Sequence, residues 1–480
     1  MIDTQAIRSK ILDLAMRGLL TEQLPEDGTA EELYQQILEE KQKLIKEGKI
    51  KKQKPLPEIT DVEIPFDIPK NWKWVYLGEL FEHNTGKALK TSDQNGQLLE
   101  YITTSNLYWD HFELKNLKSM YFKENEIDKC TVKKGDLLVC EGGDIGRSAI
   151  WTFDYEIRIQ NHIHKLRKYS ELIYTDFYYY LLWLYKQTDR ISGIGIGLQG
   201  FSSKRVHSLI VPFVPYYEAV RVVLKVKKAF SVLDTIDKLQ AQYADNLTAL
   251  KSKLIDAAIQ GKLTEHLPED GTAEELYQQI QEEKQKLIKE GKIKKQKPLP
   301  EITDEEIPFD IPDSWKWVRW GELSQSIQYG YNAPAQPTGK IRMVRISDIQ
   351  NNRVLWKTVP FCDIPDDEIS NYLLSANDVL FARTGGTVGK SFLVKDVPYD
   401  AIYAGYLIRT RYSKILIPEY LKSFMESQLY WSQLRYGTTA VAQPNCNGKT
   451  LSKMILPLPP LAEQKRIVQK LNKLLPLCEN

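Results

Sequence analysis

GTAEELYQQI occupies Gly28–Ile37, and the same ten letters return at Gly271–Ile280. A phrase repeated that far apart fixes the architecture before any single motif does. The copies extend outward from Thr21 to Pro69 and from Thr264 to Pro312. They differ only at Gln23/His266, Leu38/Gln281 and Val62/Glu305. Within each, TAEE is a capping box: Thr29 or Thr272 caps, and Glu32 or Glu275 reaches back. Leu33, Ile37, Glu40 and Leu44 continue at helical spacing, and Gly48 or Gly291 stops the helix. KIKKQKPLPEIT follows, ending in prolines that cannot extend a helix. Each copy therefore predicts one helix of about five turns and then an extended basic strap.

After WKWV (Trp72–Val75, Trp315–Val318) the halves diverge, apart from Gly78-Glu79-Leu80 and Gly321-Glu322-Leu323 and a few later landmarks in the same order. GDLLVCEGGDIGRS (Gly135–Ser148) parallels NDVLFARTGGTVGKS (Asn377–Ser391), and LIVPFVPYYEAVR (Leu209–Arg221) parallels MILPLPPLAEQKR (Met454–Arg466). Two modules of one fold with different loops suit one task on two targets. From Tyr216 to Leu263, Val223, Val226, Phe230, Leu233, Ile236, Tyr243, Leu247, Leu250 and Leu254 recur in steps of three and four. That predicts a long, one-faced helix or helix pair. Its second half, LKSKLIDAAIQGKLTE, matches IRSKILDLAMRGLLTE at Ile7–Glu22, where Ile7 and Ile11 hold the spacing. Its first half matches the C-terminus through Ile467, Leu471 and Leu474. The two ends, joined, would rebuild a second long helix, and the pair would bury their apolar faces antiparallel.

With 480 residues, 42% hydrophobic and 27% charged, the chain has the composition of a soluble globular protein of several domains. It has no apolar run of membrane-spanning length and no signal pattern. Cys130, Cys140, Cys362, Cys446 and Cys478 do not match between the halves, which points to a reducing cytoplasm rather than a disulfide framework. A net charge of +2 announces no polyanionic partner. Its distribution is more telling: Lys46, Lys49, Lys51, Lys52 and Lys54 cluster in one strap, and Lys289, Lys292, Lys294, Lys295 and Lys297 repeat it. These are either solvated linkers or a phosphate or partner contact made twice.

IPKNWKWVYLGEL and IPDSWKWVRWGEL, the two glycine-rich landmarks, PLPPLAEQKRIVQKLNKLL (Pro457–Leu475) and IQGKLTE (Ile259–Glu265) carry a recognisable pattern in two cycles. The whole chain resembles the specificity subunit of type I restriction–modification enzymes. It departs at the first module's exit, where VPFVPYYEAVRVV stands in place of PLPPLAEQKRIV. The resemblance implies an α+β fold: two globular mixed α/β target-recognition domains in a pseudo-two-fold arrangement, separated by an antiparallel pair of long helices. The divisions expected are 1–20 and 461–480 as halves of a distal spacer helix and 216–263 as the central one. Residues 21–62 and 264–305 would be the repeated helix and strap, and 63–215 and 306–460 the recognition domains. The resemblance also implies that each domain reads half of a bipartite, asymmetric site on double-stranded DNA. The helices, through Val223, Phe230, Leu233, Leu247, Leu254, Ile467, Leu471, Ile7 and Ile11, would set the spacing and bind two modification (methyltransferase) subunits. Restriction subunits complete the ATP-dependent nuclease. S-adenosylmethionine, ATP and Mg belong to those partners, and this chain binds no cofactor or metal and catalyses nothing.

Base and phosphate contacts need Arg, Lys, Asn, Gln, Ser, Thr or Tyr on loops. The candidates are Lys87, Lys90, Asn106, Arg147, His162, Gln199, Lys204 and Arg205 in the first module. In the second they are Tyr331, Asn332, Arg345, Ser347, Lys390, Gln443, Asn445 and Lys449. The loops Thr85–Ser92 and Tyr329–Lys340, each before a strand-like run, are expected readers or ordinary connections. Gly195–Gly200 spells GxGxxG, but a helix-like stretch precedes it, so a turn or a loop near DNA is expected rather than a nucleotide site. GGDIG and GGTVG predict a shared turn. His162-x-His164 would place two imidazoles on one strand face, yet lacks the remaining ligands of a metal site. Asp27 with Glu39-Glu40-Lys41 reads as a polar helix face. No methyltransferase or P-loop motif occurs. A two-module scaffold that binds protein, and a free-standing enzyme using GxGxxG, are the competing readings. Salt- and sequence-dependent DNA affinity would separate the first, and cofactor affinity the second.

Overall fold

The computed structural model describes residues 1–89, 95–191, 200–350, 352–384, 387–437 and 447–479. The chain forms two compact units, Met1–Gln240 and Ala241–Asn480. Among the described residues no helix is long and apolar enough to cross a membrane.

The repeated phrase folds as its letters dictate. Helices Ala30–Lys46 and Ala273–Lys289 each start at a threonine whose hydroxyl accepts from the Glu32 or Glu275 amide, and that glutamate reaches back to close the capping box. Gly48 and Gly291 end them at φ 69° and 68°, the left-handed conformation that glycine adopts freely. Ala30, Tyr34 and Ile37 are buried on the first helix, and Ala273, Leu276 and Ile280 on the second.

WKWV opens each module as an edge strand that the module's last strand closes. Lys73–Tyr76 pairs antiparallel with Ile210–Phe213, and Lys316–Arg319 with Ile455–Leu458. Start and finish are thus stitched together, and what lies between can diverge. In the first unit, strands Phe81–Thr85, Ile163–Lys168, Leu137–Cys140 and Ser148–Ile150 form one antiparallel sheet in that order. A second sheet runs Lys118–Phe122, Gln97–Ile102, Ile157–Ile159, Thr131–Val132, with its middle pair parallel. The second unit repeats the first sheet as Ser324–Tyr329, Leu407–Tyr412, Val379–Ala382 and Ser391–Leu393. Its other sheet is shorter, Phe361–Cys362, Ile341–Val344 and Ala401–Tyr403, again with a parallel pair. The strand-like run after Lys340 ends at Val344, because Asp348 accepts from the Arg345 amide and folds Ile346–Asp348 into a 3-10 turn.

The long helix is a single element, Tyr216–Ile259. In the first unit it buries Val222, Val223, Val226, Phe230 and Leu233. Helix Thr4–Met16 lies antiparallel to it: Thr4 donates to Asp237 at 2.6 Å, Arg8 pairs with Asp234 and Asp237, and Lys225 donates to the Leu20 carbonyl. Ile7 is 39% exposed and Ile11 only half-buried, because the helix turns Thr4, Arg8, Leu12 and Ala15 inward to satisfy the acid pair. In the second unit Ile467 and Leu471 are buried in one cluster with Ile255, Ala258 and Ile259, and Leu254 packs at its margin. The apolar stripe is not buried along its whole length. Tyr243 and Leu250 are exposed and Leu247 half-buried. The N-terminal segment in the first unit reaches Gln240, through Ile2, and the C-terminal segment in the second reaches Lys251, through Glu479.

Candidate nucleic-acid interface

In each unit one end of the first sheet is a rim of loops knitted by backbone hydrogen bonds. In the first, Glu141 donates to His162 at 2.9 Å, Phe201 to Glu141 at 2.7 Å, Asn161 to Lys87 at 3.0 Å and Lys87 to Ile159 at 3.1 Å. In the second, Arg383 donates to Tyr406 at 3.1 Å and Tyr331 to Tyr403 at 2.8 Å, and the Gly448 amide donates to the Tyr329 hydroxyl at 3.0 Å. The glycine landmarks close both hairpins alike: Gly146 donates to Cys140 and Gly389 to Ala382, at φ 82° and 83°. Gly86 and Gly330 pass so close to the next loop that a Cβ would sit 2.0 Å from the Ile159 oxygen or 2.2 Å from that of Ala404. The chemistry carried on this shared frame differs. Glu141 and the exposed His162 occupy the positions that Arg383 and Tyr406, 63% exposed, hold in the second unit. The Arg383 guanidinium lies over the Tyr329 ring at 4.6 Å.

The candidate residues divide. Exposed at or beside the rims are His162, Lys204, Asn332 and Lys449; Arg205 is half-buried, over the Phe201 ring. Lys390 is exposed beside Lys251, Ser252 and Trp431. Ser347 is exposed on its 3-10 turn, and Tyr331 packs edge-on against Tyr372. Several others have internal work instead. Lys87 is corrected: its side chain is 8% exposed and its ammonium is held by Glu126 and the Tyr121 carbonyl, both at 2.7 Å. The parallel bridge from Lys87 to Gln160 turns that side chain between the sheets. The half-buried Asn106 builds a turn, its amide accepting from Thr103 and donating to Glu113. Arg345 forks onto the buried Asp348. Arg147 donates to the Thr104 carbonyl at 2.6 Å under the Tyr108 ring. Lys90, Gln199, Gln443 and Asn445 lie outside the described residues, as does the GxGxxG stretch apart from Gly200.

The histidine pair does not share a strand face. His162 sits in the turn before Ile163, whereas His164 is buried, 2.8 Å from His83 and bonded to the Phe201 carbonyl. Burial pushes His83 down to about 3, helped by His164, and pushes His164 down to about 4, so both imidazoles are neutral. Among the described residues no group of three or more His, Cys, Asp or Glu could hold a metal.

Sequence reasoning missed the cations behind the rims. Lys165, almost wholly buried, donates to the carbonyls of Asp128, Lys129 and Thr131 at the end of helix Glu124–Cys130. Arg409, 1% exposed, does the same for Asn371 and Leu373 at the end of helix Asp366–Tyr372 and also holds Gln328. Positive charge satisfies a helix C-terminus. Two residues on, Arg167 and Arg411 pair with Asp136 and Asp378 of the GD and ND landmarks. The available signal was a cation at alternate positions of one strand, KLR and RTR.

Comparison with known proteins agrees with this duplicated plan. Residues 69–251 and 312–478 match the type I restriction modification DNA specificity domain. The chain is 28% identical to the type I restriction enzyme EcoAI specificity subunit of Escherichia coli, covering 98% of this chain and 89% of the relative. It is 26% identical to the EcoEI specificity subunit of Escherichia coli with the same coverage. In fold it is similar to a chain from a study of assembly and conformational transition of the type I R-M system, at TM-score 0.61 and 17% identity over 86% of this chain and 92% of that one. It is also similar to the HsdS subunit of Thermoanaerobacter tengcongensis, at TM-score 0.51 and 17% identity over 86% and 91%. This chain belongs to the family of type I restriction modification DNA specificity domains and carries that domain twice.

Proposed function

We propose that the two units read the two halves of a bipartite, asymmetric site on double-stranded DNA, one half-site each. The observation that carries this reading is one backbone rim built twice with unlike side chains, Glu141 and His162 against Arg383 and Tyr406. Two readers of unlike chemistry on a common frame suit a non-palindromic target. A specificity subunit is non-catalytic. It directs adenine methylation by two modification subunits and cleavage by restriction subunits, and S-adenosylmethionine, ATP and Mg are bound by those partners. The exposed apolar side chains of the long helix, Leu239, Tyr243 and Leu250, are suited to a partner subunit.

Methylome sequencing tests the reading, in a host that expresses this chain with its modification subunit and again without the chain. The expected result is one bipartite, non-palindromic methylated motif that disappears without the chain. Unchanged methylation from an assembled complex would mean that the modules bind protein instead.

A further inference from the structure

The straps that follow the two repeated helices are mounted surfaces rather than loose linkers. Ile50, Gln53, Leu56 and Ile59 turn inward at every third residue, the period of an extended polyproline-type strand, and Ile293, Leu299 and Ile302 keep that phase. Lys41 donates to the Gly78 carbonyl and to Gln53, whose amide holds the Tyr169 hydroxyl; Lys284 repeats the first two bonds at Gly321 and Gln296. The outer side presents Lys51, Lys52 and Lys54, and again Lys294, Lys295 and Lys297, all exposed. None of these six ammoniums pairs with a carboxylate among the described residues, whereas Lys49 and Lys292 pair with Glu47 and Glu290. The acids upstream already have local roles: Glu31 and Glu274 hold Lys73 and Lys316, and Glu32 and Glu275 close the capping boxes.

Packing explains why inward residues match between the copies. It does not require exposed ones to match, and on the rims the exposed residues differ. An identical outer surface beside unlike readers fits a ligand that is the same at both half-sites. Among the described residues large apolar side chains are exposed at Leu19 and Val62 but at none between them, and at none from Lys251 to Gln328 in the second unit. Protein interfaces have an apolar core and are depleted in lysine, whereas lysine is a common point-charge contact for phosphate. Strand Ile163–Lys168 leads from the rim at His162 to Tyr169 beside the strap, about 20 Å at 3.3 Å per residue. That is about six base-pair steps along a duplex.

Resting on the reading of the rims as DNA readers, we propose that Lys51, Lys52 and Lys54, and Lys294, Lys295 and Lys297, grip the sugar-phosphate backbone of duplex DNA flanking each half-site without reading its sequence. The test replaces all six by Gln in the full chain, assembled with its modification subunits. Affinity is measured against salt for a duplex carrying the methylated motif and for a scrambled duplex. The expected result is an equal fold-loss of affinity on both duplexes, an unchanged preference between them, and a slope of log affinity on log salt shallower by up to about five. The same six positions changed to Arg should keep the parent slope. An unchanged slope in the Gln variant overturns the proposal. So does lost co-elution with the modification subunits at unchanged slope, which would give the straps an acidic protein partner. A slope lost equally in the Arg variant also overturns it, as a folding effect. If instead the parent chain prefers neither duplex, the reading of the rims fails, while the slope comparison on the scrambled duplex still decides the straps.

Discussion

At the same place in two hydrogen-bonded frames, the first unit carries Glu141 and His162 and the second Arg383 and Tyr406. Behind those rims the substitution is conservative in purpose: Lys165 and Arg409 both cap a short helix, and Arg167 and Arg411 both hold an aspartate. Burial decides where change is tolerated. Residues that satisfy buried carbonyls stay cationic, because an unpaired buried polar group is costly. Residues at the solvent edge of the same loops can reverse their charge, since water takes up whatever the loop releases.

The largest test of that comparison exchanges Leu80–Leu209 for the corresponding segment of a relative. The module's first and last strands pair outside the exchanged part, so one methylated half-site should change and the other remain. A change in both would break the independence of the units. Next, Arg409→Ala should cost about 3–5 kcal/mol, because it removes one partner of a buried charge network. Denaturant unfolding should measure the loss, with hydrogen exchange placing it in the second unit; a loss below about 1 kcal/mol would end the equivalence with Lys165.

The third test is pH. Burial holds His83 and His164 at about 3 and about 4, below the ordinary value of 6.5, so the unfolded chain takes up protons first as pH falls. The first unit should therefore lose stability from pH 6.5 down toward 4. The second half, whose one histidine is His266, should not lose it by this route. Thermal unfolding of the two units followed by hydrogen exchange at pH 7 and 5 checks the order. Fourth, Gly330→Ala should cost about 1–3 kcal/mol by forcing the rim loops apart, and should weaken one half-site preference more than the other. Equal weakening would mean that the rim is not local to its reader. The smallest effect should also be symmetric: Thr29→Ala and Thr272→Ala each remove one capping hydroxyl and should each cost about 1 kcal/mol. Unequal losses would show that the identical phrases sit in unequal surroundings.

Much of the fold was legible because its signals are local. Thr29 to Gly48 names its own cap, helix and stop, and the period of the long helix is written from Val223 to Leu233. The same period misled further along. Tyr243 and Leu250 keep the spacing yet are exposed, because a sequence does not state where the packing partner begins and ends. Ile7 keeps the spacing too, yet it is exposed while Arg8 is buried, because the Arg8 charge finds Asp234 and Asp237 more than two hundred residues away. The candidate site was only partly legible. Residue type and loop position name the candidates, but Lys87, Asn106 and Arg345 hold partners within their own module, while the second rim is carried by Arg383, inside the NDVLFARTGGTVGKS landmark, and by Tyr406.

The duplication, the capped helices and straps, and the paired landmarks are written in the residues themselves, since each depends on contacts within a few residues or on comparing one half with the other. Which charges are spent internally and which stay at the edge is settled only once the chain has folded. That depends on strands distant in sequence meeting at Gly86 and Gly330, where the approach of one loop to another settles which side chains face water.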